Sequence, residues 1–115
     1  MTVTIFHNPA CSTSRKTLEA LEAAGAKPVV VEYLKAGWTK PQLQDLLKQL
    51  GLTPRDILRT KGALAGELGL LEDGVIGDRI LDAMVEHPVL VERPIVVGPK
   101  GAVVARPVER FAEVL

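Results

Sequence analysis

The sequence predicts an α/β fold built on a mixed four-stranded sheet that helices flank. Short apolar runs rich in β-branched residues alternate with stretches of helical periodicity. A helical pattern of about a dozen residues lies between the first two runs, Val3–Phe6 and Pro28–Glu32. This arrangement is typical of a parallel βαβ unit. The last two, Pro94–Val97 and Ala102–Ala105, flank a turn-forming tetrad and predict a β-hairpin.

The chain has 115 residues, the size of one domain, which we expect to span 1–115. Apolar residues make up 47% of the chain and aromatic residues only 3%, so the core is predicted to be aliphatic. Fourteen basic and fourteen acidic side chains cancel, which argues against a nucleic-acid-binding domain. The sequence has no apolar run of membrane-spanning length and no signal-peptide pattern. Its single cysteine excludes an internal disulfide, and together these features predict a cytoplasmic protein.

The segment between the first two strands begins as a turn and continues as a helix. The tripeptide 7–9, His-Asn-Pro, follows the first strand and predicts the turn. Three adjacent hydroxyl residues are candidate N-caps of the helix: Ser12, Thr13 and Ser14. Gly25 is predicted to end the helix just beyond its last turn.

The middle of the chain is predicted to be helical. Thr39 and Gln42 have the spacing of a capping box and begin a helix that Gly51 ends. One apolar stripe follows the helical period: Leu43, Leu46, Leu47 and Leu50. A second N-cap at Thr53, directly followed by Pro54, predicts a short helix that runs to about Arg59.

The remaining pattern completes the order of elements. Residues 61–74, rich in Gly and Leu, are left unassigned, and Asp78–Glu86 reads as a helix with four inward positions: Ile80, Leu81, Met84 and Val85. After the hairpin, Pro107 is predicted to open a final helix with an apolar face at Val108, Phe111, Ala112 and Leu115. The order β-α-β, helices, β-β-α matches a thioredoxin-like (glutaredoxin-like) sheet with an extra helical insertion between its two halves.

Cys11 is the first candidate for chemistry because it falls where the first strand and turn give way to the first helix. Backbone N–H groups and the positive end of the helix dipole stabilise a thiolate at such a position and lower its pKa. The same groups hold an oxyanion. The hydroxyls of residues 12–14 and the guanidinium of Arg15 are expected to add donors, so one loop supplies a nucleophile and an anion site.

Three patterns are missing around this cysteine. Position 17 is threonine, so the C-x5-R loop of the phosphotyrosine phosphatases is absent. Position 14 is serine, so no C-x-x-C pair forms; if the protein is a redox enzyme, its reducing electrons are expected to come from an outside thiol. Two histidines and one cysteine give no zinc-ligand spacing, and no bound metal or cofactor is expected.

The residues around Cys11 resemble a known family. The nonapeptide 7–15, HNPACSTSR, is similar to the active-site loop of the glutaredoxin/glutathione-linked arsenate reductases, the ArsC family. The resemblance continues through DILR at 56–59, HPVLVERPIVV at 87–97 and ARP at 105–107, and covers nearly the whole chain.

The resemblance implies roles for residues scattered along the chain. Three arginines match the family's oxyanion-binding positions: Arg59, Arg93 and Arg106. Pro94 matches the cis-proline that thioredoxin-like folds place beside the active cysteine, so a cis Arg93–Pro94 bond is expected. His7, Ser14 and Arg15 match supporting positions. His7 either favours the Cys11 thiolate or is a turn residue bonded to the backbone, and Arg15 either serves the anion or only caps or solvates the helix.

The activity implied by the resemblance is reduction of arsenate to arsenite, with Cys11 as the nucleophile, glutathione as co-substrate and glutaredoxin as protein partner. We expect a monomer that binds neither nucleic acid nor membrane. Two alternatives stay open at this stage. One is an Spx-type redox-related transcription regulator that binds RNA polymerase, although Ser14 breaks the C-x-x-C pair with which such regulators sense oxidation. The other is a monothiol glutathione-dependent oxidoreductase.

Overall fold

The computed structural model describes residues 2–115 and confirms the α/β fold with a mixed sheet. The sheet has four strands in the order β2-β1-β3-β4. Its strands are β1 (Thr4–His7), β2 (Val29–Glu32), β3 (Ile95–Gly98) and β4 (Gly101–Val104). β1 runs parallel to β2 and antiparallel to β3, and β3 and β4 form the predicted antiparallel hairpin. The sheet therefore has the parallel βαβ pair and the hairpin that the sequence predicts.

The chain divides into two compact units. The sheet unit consists of the described residues up to Ala36 together with Arg93–Leu115, and the helical unit is Gly37–Glu92. Among the described residues, no helix has both the length and the apolar character needed to cross a membrane.

The sheet unit contains two α-helices. α1 (Ser12–Ala23) connects β1 to β2, and the single turn α2 (Tyr33–Ala36) follows β2. The core of this unit is aliphatic, as predicted, and includes Ile5, Leu21 and Val96. The N-cap of α1 is Cys11 itself, whose backbone is extended, so the predicted caps at positions 12–14 are wrong. Those three residues have already entered the helix, because the first helical bond runs from the Arg15 N–H to the Cys11 carbonyl.

The C-terminal segment of the sheet unit differs from the predicted α-helix. Val108–Val114 is a 3-10 helix, and its fully buried side chain is Val114 rather than a residue of the predicted face. The Val114 carbonyl accepts a hydrogen bond from the Lys100 N–H at 3.1 Å, which ties the segment to the β3–β4 turn. Phe111 and Leu115 still pack on the core, as predicted. A helix wound as 3-10 turns its side chains by a different angle per residue, which moves the buried position.

The helical unit begins with α3 (Lys40–Leu50), and its predicted ends are confirmed. Thr39 and Gln42 form both bonds of the capping box, and Gly51 closes the helix in the left-handed conformation at φ 68°. Three further helical segments follow: the 3-10 helix Pro54–Ile57, α4 (Leu64–Glu67) and α5 (Gly77–Glu86). A short 3-10 helix, Pro88–Leu90, ends the unit. α4 lies in the stretch that the sequence left unassigned.

Two sequence-based predictions in the helical unit are wrong: the end of one helix and one buried position on another. The helix capped by Thr53 ends at Ile57, because the next residues pair with another segment: the Arg59 N–H donates to the Leu90 carbonyl at 2.7 Å. On α5, Val85 is 38% exposed, whereas Ala83 is buried. Tertiary pairing and the exact helical phase decide these points, and neither is visible in a local pattern.

Candidate active site

The loop that carries Cys11 is shaped by Asn8. The Asn8 side-chain oxygen accepts a hydrogen bond from the Ala10 N–H at 3.0 Å. The backbone carbonyl of Asn8 accepts a second one from the Cys11 N–H at 3.0 Å. This is an Asx turn, the local geometry for which asparagine is favoured after a strand. The predicted turn is therefore confirmed, and it places Cys11 at the N-cap of α1 with its side chain half-buried.

His7, Ser14 and the Asn8 backbone form a buried network behind the thiol. The Ser14 hydroxyl oxygen lies 2.6 Å from His7 Nδ1 and accepts a bond from the Asn8 N–H at 3.1 Å. Burial lowers the pKa of His7 below its ordinary value of 6.5, an effect that the Glu32 charge opposes and the Arg15 charge assists. The Ser14 hydroxyl is therefore engaged by both His7 and the Asn8 backbone, and it holds the loop to the start of α1.

The pKa of the Cys11 thiol is lowered from its ordinary value. Burial alone raises this pKa, because it disfavours the charged thiolate. The opposing effects are larger in sum: the Ser14 N–H directed at the sulfur, the hydrogen bond and charge of Arg93, and the Thr13 N–H. Two of these groups belong to the first turn of α1, as the helix N-terminus predicts.

Arg93 and Arg106 meet beside this thiol. Arg93 lies two residues before the start of β3 and Arg106 two residues after the end of β4, and the antiparallel register pairs Ile95 with Val104. The two arginines therefore lie at the same end of the sheet, which is also where β1 ends and the Cys11 loop begins. Arg106 Nε donates to the Arg93 carbonyl at 2.6 Å, and Arg106 Nη2 lies 3.7 Å from Cys11 Sγ. Two of the three arginines that the resemblance assigns to the oxyanion therefore lie beside the same sulfur.

Arg93 keeps donors for a further partner. Its Nε and Nη1 atoms are buried and have no hydrogen-bond partner among residues 2–115. Buried guanidinium donors without an acceptor are costly, and a bound anion is the group that satisfies them best. The thiolate and these donors together make a site that attracts an oxyanion and places it beside a nucleophile.

Arg59, the third predicted arginine, belongs to the helical unit. It is 14% exposed and its Nη1 donates to Glu92 at 3.0 Å in an ion pair. It also lines a small hollow of about 190 Å³ with Lys61 and Leu90 among its walls. Its part in anion binding stays a prediction from the sequence.

The remaining predicted site residues support the loop. Arg15 Nη1 donates to the Pro9 carbonyl at 2.8 Å, so its guanidinium clamps the turn. The Ser14 hydroxyl, expected among the anion donors, bonds to His7 and Asn8 instead.

The Arg93–Pro94 bond is cis, as expected, and the Pro94 carbonyl accepts the Ala105 N–H at 2.9 Å. The Arg106–Pro107 bond is also cis, which the sequence did not predict. Within residues 2–115, no three potential metal ligands come together.

The fold and the site define a class: a thioredoxin-like protein with one activated thiol at the start of its first helix. The profile described as the ArsC family matches residues 6–114. An arsenate reductase of Synechocystis sp. is 54% identical over 98% of this chain and 81% of its own length, and one of Escherichia coli K12 is 43% identical over 98% and 80%. The structure of an arsenate reductase from Vibrio cholerae superposes with a TM-score of 0.96, at 44% identity, over 100% of this chain and 98% of that one. The chain belongs to the ArsC family.

Proposed function

We propose that this protein is an arsenate reductase that converts arsenate to arsenite through the Cys11 thiolate. The observation that carries the proposal is the pairing of that thiolate with Arg93, whose Nε and Nη1 donors are buried and unpartnered within residues 2–115. Arsenate is a tetrahedral oxyanion with a phosphate-like charge, and a guanidinium fork matches its oxygens. The names of the relatives point to the same reaction.

In the first step the Cys11 sulfur attacks arsenic. An S–As bond forms, an As–O bond breaks, and the oxygen leaves as hydroxide, which becomes water on protonation. Arsenic stays pentavalent. Arg93 and Arg106 stabilise the negative charge that builds on the remaining oxygens, since both lie at the sulfur. Arg59 is proposed as a third oxyanion ligand on the resemblance of its DILR segment alone.

The electrons are proposed to come from glutathione and glutaredoxin. Cys11 is the one cysteine in the sequence, so it has no internal partner with which to form a disulfide. The glutathione sulfur attacks arsenic in the Cys11 adduct and displaces a second oxygen. A glutaredoxin thiol then attacks that glutathione sulfur: an S–S bond forms, the bond between the glutathione sulfur and arsenic breaks, and its electron pair stays on arsenic, which becomes trivalent. Hydrolysis of the remaining S–As bond frees arsenite. The net change is two thiols to one disulfide, arsenate to arsenite, and one oxygen to water.

Phosphate has nearly the same shape and charge as arsenate, so binding alone does not separate the two. We propose that the chemical step does, because only arsenic accepts the two electrons. We further propose that the protein works as a cytoplasmic monomer without a bound cofactor. The regulator and monothiol-oxidoreductase alternatives gain no support, since relatives that are 43–54% identical to this chain carry arsenate reductase names.

The test is arsenite formation by the purified protein with arsenate, glutathione and glutaredoxin. A parallel reaction replaces both reductants with thioredoxin and its reductase. Turnover in the first mixture and none in the second supports the proposal. Turnover only with thioredoxin would keep the reaction and replace the reductant, whereas no arsenite in either mixture would refute the activity.

A further inference from the structure

A groove opens beside the active thiol on the sheet unit. One wall comes from α1 and the other from the segment after β4, and the groove is lined by Thr13, Lys16, Arg106, Pro107, Val108 and Glu109. It encloses about 470 Å³, within the ~300–1,000 Å³ usual for small-molecule sites. The arsenate chemistry above uses one of these six residues, Arg106, so the groove is larger than the anion site requires.

The groove starts at the reacting sulfur. Arg106, in one wall, places its Nη2 atom 3.7 Å from Cys11 Sγ. Thr13, in the other wall, directs its backbone N–H at the same sulfur. Thr13 and Lys16 are three residues apart on α1 and therefore share a face of the helix. A molecule lying in the groove therefore meets Thr13 and Arg106, which both lie at the Cys11 sulfur, as well as the side chains of Lys16 and Glu109.

The groove is lined by side chains of both charges. Lys16 and Arg106 are cations and Glu109 is an anion. Lys16 and Glu109 are exposed, and within residues 2–115 neither has an ion-pair partner in its own unit. Pro107 and Val108 form an apolar wall between the charged positions. With Arg106 used by the oxyanion, one cation, one anion and a short apolar stretch remain, and they complement a small peptide with a carboxylate, an ammonium group and an aliphatic part.

We propose that this groove binds the peptide part of the thiol co-substrate, glutathione, and that Lys16 and Glu109 select it over simpler thiols. The proposal rests on the function proposed above, which makes glutathione the first outside thiol to reach arsenic. Lys16 pairs with a carboxylate of the tripeptide and Glu109 with its ammonium group. The bound sulfur then lies next to the Cys11 adduct, and its attack follows the step already written.

The first test measures binding without turnover. S-methylglutathione cannot react at its sulfur, so a groove that binds it shields Cys11 from alkylation by iodoacetamide. We expect S-methylglutathione to slow alkylation of the wild-type protein. The concentration needed for the same protection should be about 2- to 5-fold higher in Lys16→Gln and in Glu109→Gln. Lys100→Gln is the matched control. Lys100 is an exposed lysine on the β3–β4 turn, at the end of β3 and β4 opposite to Arg106. Equal protection of all four proteins, or no protection of any, overturns the groove.

The second test measures selectivity during turnover. The ratio of kcat/KM for glutathione to that for 2-mercaptoethanol, an uncharged thiol, cancels effects on arsenate binding and on the sulfur chemistry. We expect this ratio to fall about 2- to 5-fold in Lys16→Gln and in Glu109→Gln, and to stay unchanged in Lys100→Gln. An unchanged ratio in both groove variants overturns the groove and leaves the arsenate reductase function intact. Shielding of Cys11 by S-methylglutathione without glutathione-dependent turnover would instead refute the reductant and support the groove.

Discussion

The Arg106 guanidinium is held by the backbone of Arg93: Arg106 Nε donates to the Arg93 carbonyl at 2.6 Å. The bond joins the end of β4 to the start of β3, so the hairpin register fixes both cations relative to each other. Arg93 and Arg106 both lie beside the Cys11 thiolate. The site therefore offers two guanidinium groups to an anion that enters next to the sulfur.

Replacing Cys11 with serine is expected to abolish arsenite formation and to leave the fold intact. A serine hydroxyl is not ionised at neutral pH and cannot carry the sulfur chemistry. The side chain is only half-buried, so we expect the free energy of unfolding to change by less than about 1 kcal/mol. Arsenite assay and urea unfolding check both parts. Residual turnover in Cys11→Ser would refute the nucleophile.

Arg93→Gln is expected to lower kcat/KM for arsenate and to raise the pKa of Cys11. A hydrogen bond to a charged group contributes about 1.5–3 kcal/mol, which corresponds to a loss of roughly 10- to 150-fold. The thiol pKa rises because both the hydrogen bond and the charge of Arg93 favour the thiolate. The pH dependence of Cys11 alkylation measures the shift. Arg110→Gln is the control, since Arg110 is exposed and pairs only with Glu113 in the described structure; an equal loss there would contradict the assignment.

Ser14→Ala is expected to destabilise the protein by about 1–3 kcal/mol. Its hydroxyl is completely buried, and the substitution leaves His7 Nδ1 and the Asn8 N–H without their partner. Urea unfolding measures the change. Ser12→Ala removes the same hydroxyl one position after Cys11, where the side chain is exposed, and is expected to shift stability by less than about 0.5 kcal/mol. Similar losses in both variants would rule out the buried network as the cause.

The stability of the fold is expected to fall as the pH drops below 6.5. Burial lowers the pKa of His7 in the folded state below its ordinary 6.5, so between the two values the unfolded chain binds more protons. The folded state thus has its full stability from His7 above pH 6.5 and loses it as the pH falls through the folded-state pKa. Urea midpoints at pH 7.5 and 5.5 test this. The pH-dependent loss should shrink in His7→Gln and persist in His87→Gln; persistence in both would exclude His7 as the source.

Gly98→Ala is expected to destabilise the sheet unit by about 1–3 kcal/mol. A Cβ atom at position 98 would collide with the Val114 carbonyl, which belongs to the backbone and cannot turn aside as a side chain does. Thermal unfolding gives the loss. Gly101→Ala does not serve as control, because φ at Gly101 is 125° and an alanine there is strained for another reason. Gly66→Ala, whose Cβ meets only the end of Leu71 at 3.7 Å, is expected to be nearly neutral.

The features that the sequence predicts correctly are local or follow from strand order. The capping boxes at Thr39 and Thr53 depend on residues three apart, and both form as predicted. The meeting of Arg93 and Arg106 follows from their places at the ends of two antiparallel neighbours. Cys11 at the start of α1 follows from the position of the first strand.

The features that the sequence did not predict depend on contacts between distant segments. The bond between His7 and Ser14 needs the exact path of the turn, so Ser14 was expected to face the anion. The Val108–Val114 segment makes a long-range hydrogen bond with Lys100, and the groove is formed where residues next to and within this segment face α1. A periodic apolar pattern predicts which residues avoid water and says little about how such segments are wound or placed.

Because Cys11 is the one thiol in the sequence, a thiol-selective fluorophore attaches at a single place. No cysteine has to be removed first, as multi-thiol proteins require. Its emission reports on the polarity and mobility beside Cys11, whose sulfur the dye blocks, so the arrival of an anion or of a peptide there can be followed separately from the chemistry and without any substitution in the chain.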